Sequence, residues 1–451
     1  MLKLRTATLL RRGCRAAYAP ARGFSALAGS SDAGDDAAPM VLTREYIYGA
    51  LYAPDGGYFT TPTREVLHAP PQTIDFPSLW GQMEYRSVVS KLYKARREAW
   101  LTPVEVFAPH YSHALAKYML HSPLVQSPMR VFEIGGGAGT NALHILNYLR
   151  THAPDVYEKT QYTLIEISPV MAERQRQRVL SEHPHVCTVL NTDILTFADQ
   201  HAVVSEPCFF LAMEVLDNLP HDKVSLRHGK WCETVVRAAP GDGLQLVEDA
   251  RPVSDPLVRQ TLEYFGCDLP LRVQYRLNNA LAQRVRGLFG KNEIDLDAAF
   301  IPTGAMQLLN TLRSSFPRHH LIAADFDELP APTLSATSSV KALHHPLSPT
   351  ATSAGTLCAG NAPLVASKTS GETEDHDTYL VAGGVADIFF ATDFARLKKA
   401  YCKALGRKAD EVSVVKSAAF LKEFADLKQT RTMTGYNPLL EDYTNTSFIL
   451  S

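Results

Sequence analysis

The chain has 451 residues, 45% of them hydrophobic and 20% charged. That balance excludes collagen-like, coiled-coil and wholly disordered classes, and the length allows about two to three domains. Lys and Arg number 45 against 47 Asp and Glu, a net charge of −2, without the basic excess expected of a nucleic-acid binder.

No run reaches the roughly 18 apolar residues of a membrane span. The seven cysteines are scattered and contain no C-x-x-C, so neither a disulfide framework nor a metal site is expected, and a reducing compartment fits. Residues 1–31 carry Lys3, Arg5, Arg11, Arg12, Arg15 and Arg22, with Leu2, Leu4, Leu9 and Leu10 among them and no acid before Asp32. This is the composition of a mitochondrial transit peptide, and the apolar stretch of a secretory signal is missing. Arg22-Gly23-Phe24-Ser25 resembles a matrix processing site cut after Phe24. Residues 1–24 are thus expected to address the protein to the matrix. Residues 25–40 read as a flexible leader.

From 41 to 120 the pattern is mostly helical, interrupted by Pro54-Asp55-Gly56-Gly57-Tyr58. Pro103 opens a helix that should run to about Met119, with Thr102 as its N-cap. The texture then changes. Val131–Ile134, Thr163–Ile167, Val186–Leu190 and Cys208–Ala212 are short apolar strands that alternate with helical stretches at 140–149 and 169–180. Such alternation predicts βαβ units and a mostly parallel sheet, an α/β fold. Residues 231–236 and 244–248 predict a hairpin. The stretch 256–315 reads as helical with a basic run at Arg284–Lys291, and Leu321–Phe326 as a late strand. Residues 329–376 are rich in Pro, Ser, Thr and Ala and read as a flexible insert. Order should return near Tyr379, with helices at 393–404 and 417–427.

Glu133-Ile134-Gly135-Gly136-Gly137-Ala138-Gly139-Thr140 sits between a strand and a helix. Glycines admit close backbone approach to a ligand, and the helix N-terminus adds partial positive charge. Gly135, Gly137 and Gly139 form G-x-G-x-G rather than the dinucleotide G-x-G-x-x-G, and no Walker Lys-Ser/Thr follows. No Tyr-x-x-x-Lys follows strand four, so a nicotinamide oxidoreductase is disfavoured. Glu133 ends the first strand and Glu166 the second, where a carboxylate can accept both hydroxyls of a ribose. Asp193 follows the third strand and could accept an adenine amine or cap the next turn. After strand four, Glu214 and Asp217 are spaced i, i+3 and share a face if that turn is helical.

An acid, a G-x-G-x-G loop and acids after strands two and three resemble the class I S-adenosylmethionine methyltransferases. Glu133–Thr140, Glu166 and Glu214-Val215-Leu216-Asp217-Asn218-Leu219-Pro220 resemble more narrowly the MidA-like methyltransferases of mitochondria and bacteria. These carry an E-x-G-x-G-x-G loop and an E-F-F-D-x-L-P type motif. Tyr48–Phe59 and Gly435–Leu440 extend the likeness over about 41–327 and 376–451. The family's G-D-F-x-T-S-P-E segment is only echoed at Thr60–Glu65, and the 329–376 insert is foreign to its compact members.

The resemblance implies a class I Rossmann-like fold with added substrate-side elements. It implies S-adenosyl-L-methionine as cofactor, held by Glu133, Gly135, Gly137, Gly139, Glu166 and Asp193, with Glu214 and Asp217 on the acceptor side. The expected segments are 41–120 substrate-side helices, 121–255 cofactor core, 256–328 helical insertion with the late strand, 329–376 insert and 377–451 core completion. The family includes a protein arginine methyltransferase that assists respiratory complex I assembly. The expected function is therefore methylation of a protein substrate, a complex I subunit being the natural case. A catalytically inactive assembly scaffold with the same fold is the alternative.

Overall fold

The computed structural model describes residues 40–451 except 55, 63–71, 96–99, 124–127, 228, 240–241, 268–297, 331–360 and 370–371. The leader, the Arg284–Lys291 run and most of the Ser/Thr/Pro insert lie outside the described residues, as does the end of the 60–65 echo.

Val41–Leu42 (β1) leads into the helix Thr43–Tyr52 (α1), whose Glu45 reaches back to the Leu42 N–H at 2.9 Å. Gln82–Ala95 (α2) follows. Pro103–Val106 (α3) starts as its sequence predicts, with the Thr102 side chain accepting from the Glu105 N–H. The single helix expected to Met119 is instead two, because Pro109 has no N–H to continue the ladder. The second piece is His110–His121 (α4).

Arg130–Ile134 (β2) opens the alternating core. It is followed by Thr140–His152 (α5), Gln161–Glu166 (β3), Pro169–Gln175 (α6), Cys187–Asn191 (β4) and Cys208–Met213 (β5). An antiparallel run of Asp222–Arg227 (β6), Lys230–Ala239 (β7) and Asp242–Pro252 (β8) comes next. Pro256–Phe265 (α7) precedes Ala298–Ile301 (β9), Thr303–Ser315 (α8) and His319–Phe326 (β10). The expected unbroken helical stretch over 256–315 is therefore wrong at β9. Four apolar residues stopped by Pro302 have no helical period, and they pair antiparallel with β6.

Leu364–Thr369 (β11), Glu372–Asp375 (β12) and Asp387–Phe389 (β13) form a three-stranded antiparallel sheet. The first two strands fall inside the segment expected to be a flexible insert, so its last part is folded. The order there comes from burial of Val365 and Ile388 against Tyr46, Tyr379 and Phe390. Phe394–Leu405 (α9), Ser413–Lys416 (β14), Ser417–Phe424 (α10) and Thr446–Leu450 (β15) end the chain.

The central sheet has seven strands in the order β14-β15-β10-β5-β2-β3-β4. The pairs from β10 through β5, β2 and β3 to β4 are parallel, and β15 runs antiparallel between β10 and β14. Both faces are buried, so its strands read as continuous apolar runs that feed two cores alternately. Phe209, Leu211 and Met213 pack with Leu115, Met119 and Leu146 on one face. Phe210 and Ala212 pack with Met306, Leu312, Phe316 and Leu397 on the other. Strand order reverses between β2 and β5, which makes the carboxyl ends of these strands the natural ligand crevice.

Arg44 fastens the N-terminal helix to this body. Its guanidinium meets Asp222 at 2.7 Å and Asp255 at 2.7 Å, and the Asp222 side chain is fully buried. Arg44→Leu should cost about 3–5 kcal/mol in urea unfolding, because a buried carboxylate loses its partner. Arg44→Leu combined with Asp222→Leu should recover much of that loss; no recovery would mean the pair does not act as a unit.

Candidate functional site

A cavity of about 510 Å³ opens at the carboxyl ends of β2, β5 and β10, within the range of small-molecule sites. One wall is the glycine loop, with Glu133, Gly135, Gly136, Gly137 and Asn141. A second is the segment after β5, with Met213, Glu214, Asp217 and Asn218. Phe59, Tyr93, Trp100 and Glu105 form the N-terminal side, and Ala366, Thr373, Asp375, Asp387 and Phe389 of the small sheet form the roof. Lys368 of β11 holds that roof down. Its ammonium lies 4.8 Å from the Tyr93 ring centre and 5.8 Å from that of Trp100, cation–π distances.

Five of the eight residues singled out in the sequence line this cavity: Glu133, Gly135, Gly137, Glu214 and Asp217. Gly139, Glu166 and Asp193 lie outside its lining. Gly135 and Gly137 have φ of +61° and +52°, the left-handed region that glycine enters freely. A Cβ on Gly135 would also meet Val215 Cγ2 at 2.8 Å. Gly139, at φ +78°, serves packing, since a Cβ there would sit 2.8 Å from Val179 Cγ2.

Glu133 is buried and accepts hydrogen bonds from Asn141 Nδ2 at 2.8 Å and the Tyr162 hydroxyl at 2.7 Å. Burial raises its pKa against the pull of those two bonds. Glu166 accepts from the Ser168 N–H and from Gln175 Nε2, both at 2.9 Å. Burial pushes it up to about 7, opposed by those bonds. Asp193 caps the turn after β4 by accepting from the Leu195 N–H at 2.8 Å, and its other oxygen accepts from the Tyr48 hydroxyl at 3.0 Å. Each of its oxygens keeps a second lone pair.

The segment 214–220 is a turn and not a helix, so the condition for Glu214 and Asp217 to share a helical face is not met. Glu214 has φ +52°, costly for a residue with a Cβ, by about 1–2 kcal/mol. Strained residues of this kind cluster at ligand sites. What shapes the turn is Asp325, at the end of β10. Its Oδ2 accepts from the Leu216 and Asp217 N–H groups at 2.8 and 3.1 Å, and Oδ1 accepts from the Phe326 N–H at 2.7 Å. From the small sheet, Asp387 accepts from Asn218 Nδ2 at 2.8 Å. Tyr52 of α1 donates to the Asn218 carbonyl at 3.2 Å.

Asp325 and Asp387 escaped the sequence reading. The available signal was an acid in an otherwise apolar strand, Leu321–Phe326 and Asp387–Phe390. Together the carboxyls repel. Burial first, then the charges of Asp325 and Glu105, hold Glu214 well above the usual carboxylate range. Burial and then Asp325, Asp387 and Glu214 do the same for Asp217. Burial pushes Asp387 up to about 7.

These residues fit a cationic, donor-rich ligand. Asp217 Oδ1 and Asn141 Oδ1 are buried acceptors without a hydrogen-bond partner, and both residues line the cavity. The left-handed glycines leave the loop backbone open to close approach. Among the described residues no group of three or more His, Cys, Asp or Glu is arranged to hold a metal ion, and no helix is long and apolar enough to cross a membrane.

A family model of S-adenosyl-L-methionine-dependent methyltransferases matches residues 114–413, well over half of the chain. Among curated proteins, the Protein arginine methyltransferase NDUFAF7 homolog, mitochondrial, of Drosophila melanogaster is 30% identical over 131 residues, 26% of this chain. The match spans only 30% of that relative's length. Among solved structures, a candidate methyl transferase from Burkholderia thailandensis bound to S-adenosyl-homocysteine superposes with a TM-score of 0.52 at 15% identity. That superposition covers 91% of this chain and 88% of the other, and at such identity it shows a shared fold. The chain belongs to this methyltransferase family as a divergent MidA-like member, and its cofactor is S-adenosyl-L-methionine.

Glu166 is raised from an unfolded value near 4.5 to about 7 in the folded state. Its contribution to stability is whole below about 4.5 and is lost as pH rises through 7. Glu166→Gln removes that dependence. The melting temperature of the variant relative to the parent should therefore climb between pH 5 and 7 and level off above. A constant difference across this range would show that Glu166 titrates normally.

Proposed function

We propose that this chain, a MidA-like methyltransferase by family, methylates a cationic side chain of a protein, arginine above all, inside mitochondria and in support of respiratory complex I assembly. One observation carries the acceptor class: the half-buried Glu214 and the buried Asp217 and Asp387 on the cavity walls beyond the glycine loop. The name of the Drosophila melanogaster relative supports arginine and the mitochondrion, and the acid-free basic stretch at residues 1–31 supports import.

The cofactor supplies a methyl group on a sulfonium, an electrophile that needs alignment more than activation. In this reading Gly135, Gly137 and Gly139 shape the loop, and Glu133 with Asn141 takes the amino-acid end. Glu166 accepts the ribose hydroxyls and Asp193 the adenine amine. On the acceptor side a guanidinium arrives protonated. Glu214 and Asp217 pair with its N–H groups and draw the positive charge toward the nitrogens they hold. The remaining nitrogen keeps its electron pair for attack. The bound cofactor would supply the methyl group, and an ionised Asp217 would take up one proton of the guanidinium, so that the methylated side chain keeps a single positive charge. The raised proton affinity of that carboxyl suits it to the task.

Asp217→Asn keeps shape and removes charge. It should leave cofactor affinity within a few-fold and slow methyl transfer by on the order of 10²-fold or more. Complementation of a knockout separates enzyme from scaffold. Respiratory function restored without the methyl mark would show that assembly alone is the role, and restoration of both would make Asp217 structural.

The address has its own check. A protein lacking residues 1–24, or carrying Glu at 11, 12 and 15, should stay in the cytosol, as fractionation reports. Import of either variant would refute the transit-peptide reading.

A further inference from the structure

Gln175 closes α6 and is fully buried. Its amide nitrogen lies 2.9 Å from Glu166 Oε2 and 2.9 Å from the Gly137 carbonyl oxygen. Both N–H groups are thus spent, one on a strand-end carboxylate and one on the glycine loop. The loop is built around this side chain. A Cβ on Gly136 would stand 3.6 Å from the amide nitrogen, and one on Gly139 would stand 3.5 Å from Gln175 Cγ. Beyond Gln175 the helix widens into a π turn over Arg176–Leu180, a feature frequent at functional sites. Its Oε1 is buried without a partner.

We propose that Gln175 is a positioning residue for the cofactor: its amide ties the ribose-side carboxylate of Glu166 to the carbonyl of Gly137, so that the two ends of the cofactor site form together. The proposal rests on the reading of Glu166 as the ribose acceptor.

The choice of residue has a physical logic. A neutral double donor fixes a carboxylate without cancelling its charge, which stays available to ligand hydroxyls. A lysine or arginine would neutralise it. An apolar residue would leave it protonated in its buried setting. The clasp also reads the charge state. An ionised Glu166 takes an N–H, whereas a protonated one must donate, and the acceptor at hand is the orphaned Oε1. Turning the amide to meet it takes the donor away from Gly137. Among the described residues, Glu133 on β2 and Tyr52 on α1 carry charge that reaches Glu166. Both are acids and neither can replace the amide.

The test is calorimetric titration of S-adenosylhomocysteine into the full-length protein from pH 6 to 8.5. Ligand ionisation is common to all variants there. The parent should bind more tightly as pH rises through about 7. Gln175→Met keeps volume and removes both donors. Its binding midpoint should move up by about one pH unit or more, with binding at pH 7 weaker by roughly fivefold or more that recovers toward pH 8.5. Gln175→Glu should move the midpoint further still, since a second carboxyl opposes ionisation of the first; it also carries the comparison should the Met variant not fold, which melting curves report. Glu166→Gln should bind weakly and evenly at every pH. A Met variant weakened equally at all pH values, or unchanged in midpoint, would overturn the proposal by reducing Gln175 to packing. Parent-like binding by Glu166→Gln would overturn it at its base, by removing the ribose reading itself.

Discussion

Carboxyls crowded around one cavity are the constraint on which this molecule is organised. Glu133 and Glu166 end neighbouring parallel strands, while Glu214, Asp217, Asp325 and Asp387 gather around the segment after β5. All are buried except the half-buried Glu214, and desolvation is the largest cause of the upward shift of each. Water would hold these groups far more comfortably. Hydrophobic packing on both faces of the seven-stranded sheet keeps them where they are. A ligand bearing positive charge and hydrogen-bond donors relieves what the fold imposes.

The rest of the architecture supplies that crowding. A parallel sheet sends all its carboxyl ends to one side, and the reversal of strand order between β2 and β5 opens a gap there. The antiparallel β15 closes the far edge against β14 and holds β10 in register, which fixes Asp325 under the 214–220 turn. The helix α1 and the small sheet β12-β11-β13 then cover the gap from outside. Arg44, Tyr48 and Tyr52 attach α1 to Asp222, Asp193 and Asn218. The small sheet contributes Asp387 and the Lys368 latch on Tyr93 and Trp100.

Local pattern made much of this legible. The G-x-G-x-G loop between a strand and a helix, the acids at strand ends and the alternation of strand and helix all lie within short windows. Thr102 before Pro103 gave a helix start for the same reason. What escaped depended on residues distant in sequence. Asp325 meets Leu216 across 109 positions, and Asp387 meets Asn218 across 169. Composition marked 329–376 as an insert, yet β11 earns its order from Tyr46 and Tyr379, partners that no window contains. The spacing of Glu214 and Asp217 allowed a shared helical face. Two N–H groups of the segment, those of Leu216 and Asp217, are captured by Asp325 and hold it as a turn instead.

Trp100 gives the cavity an optical reporter. The chain has three tryptophans. Trp80 is 67% exposed and Trp231 belongs to β7, away from the cavity lining. Trp100 alone of the three lines the cavity, its indole N–H donating to the Tyr58 hydroxyl at 2.8 Å and its ring beside the Lys368 ammonium. A nearby cation and a change in local polarity both alter indole emission. The protein therefore carries an intrinsic fluorophore on the wall where ligand and acceptor would meet, and two others whose signal stays with solvent and scaffold.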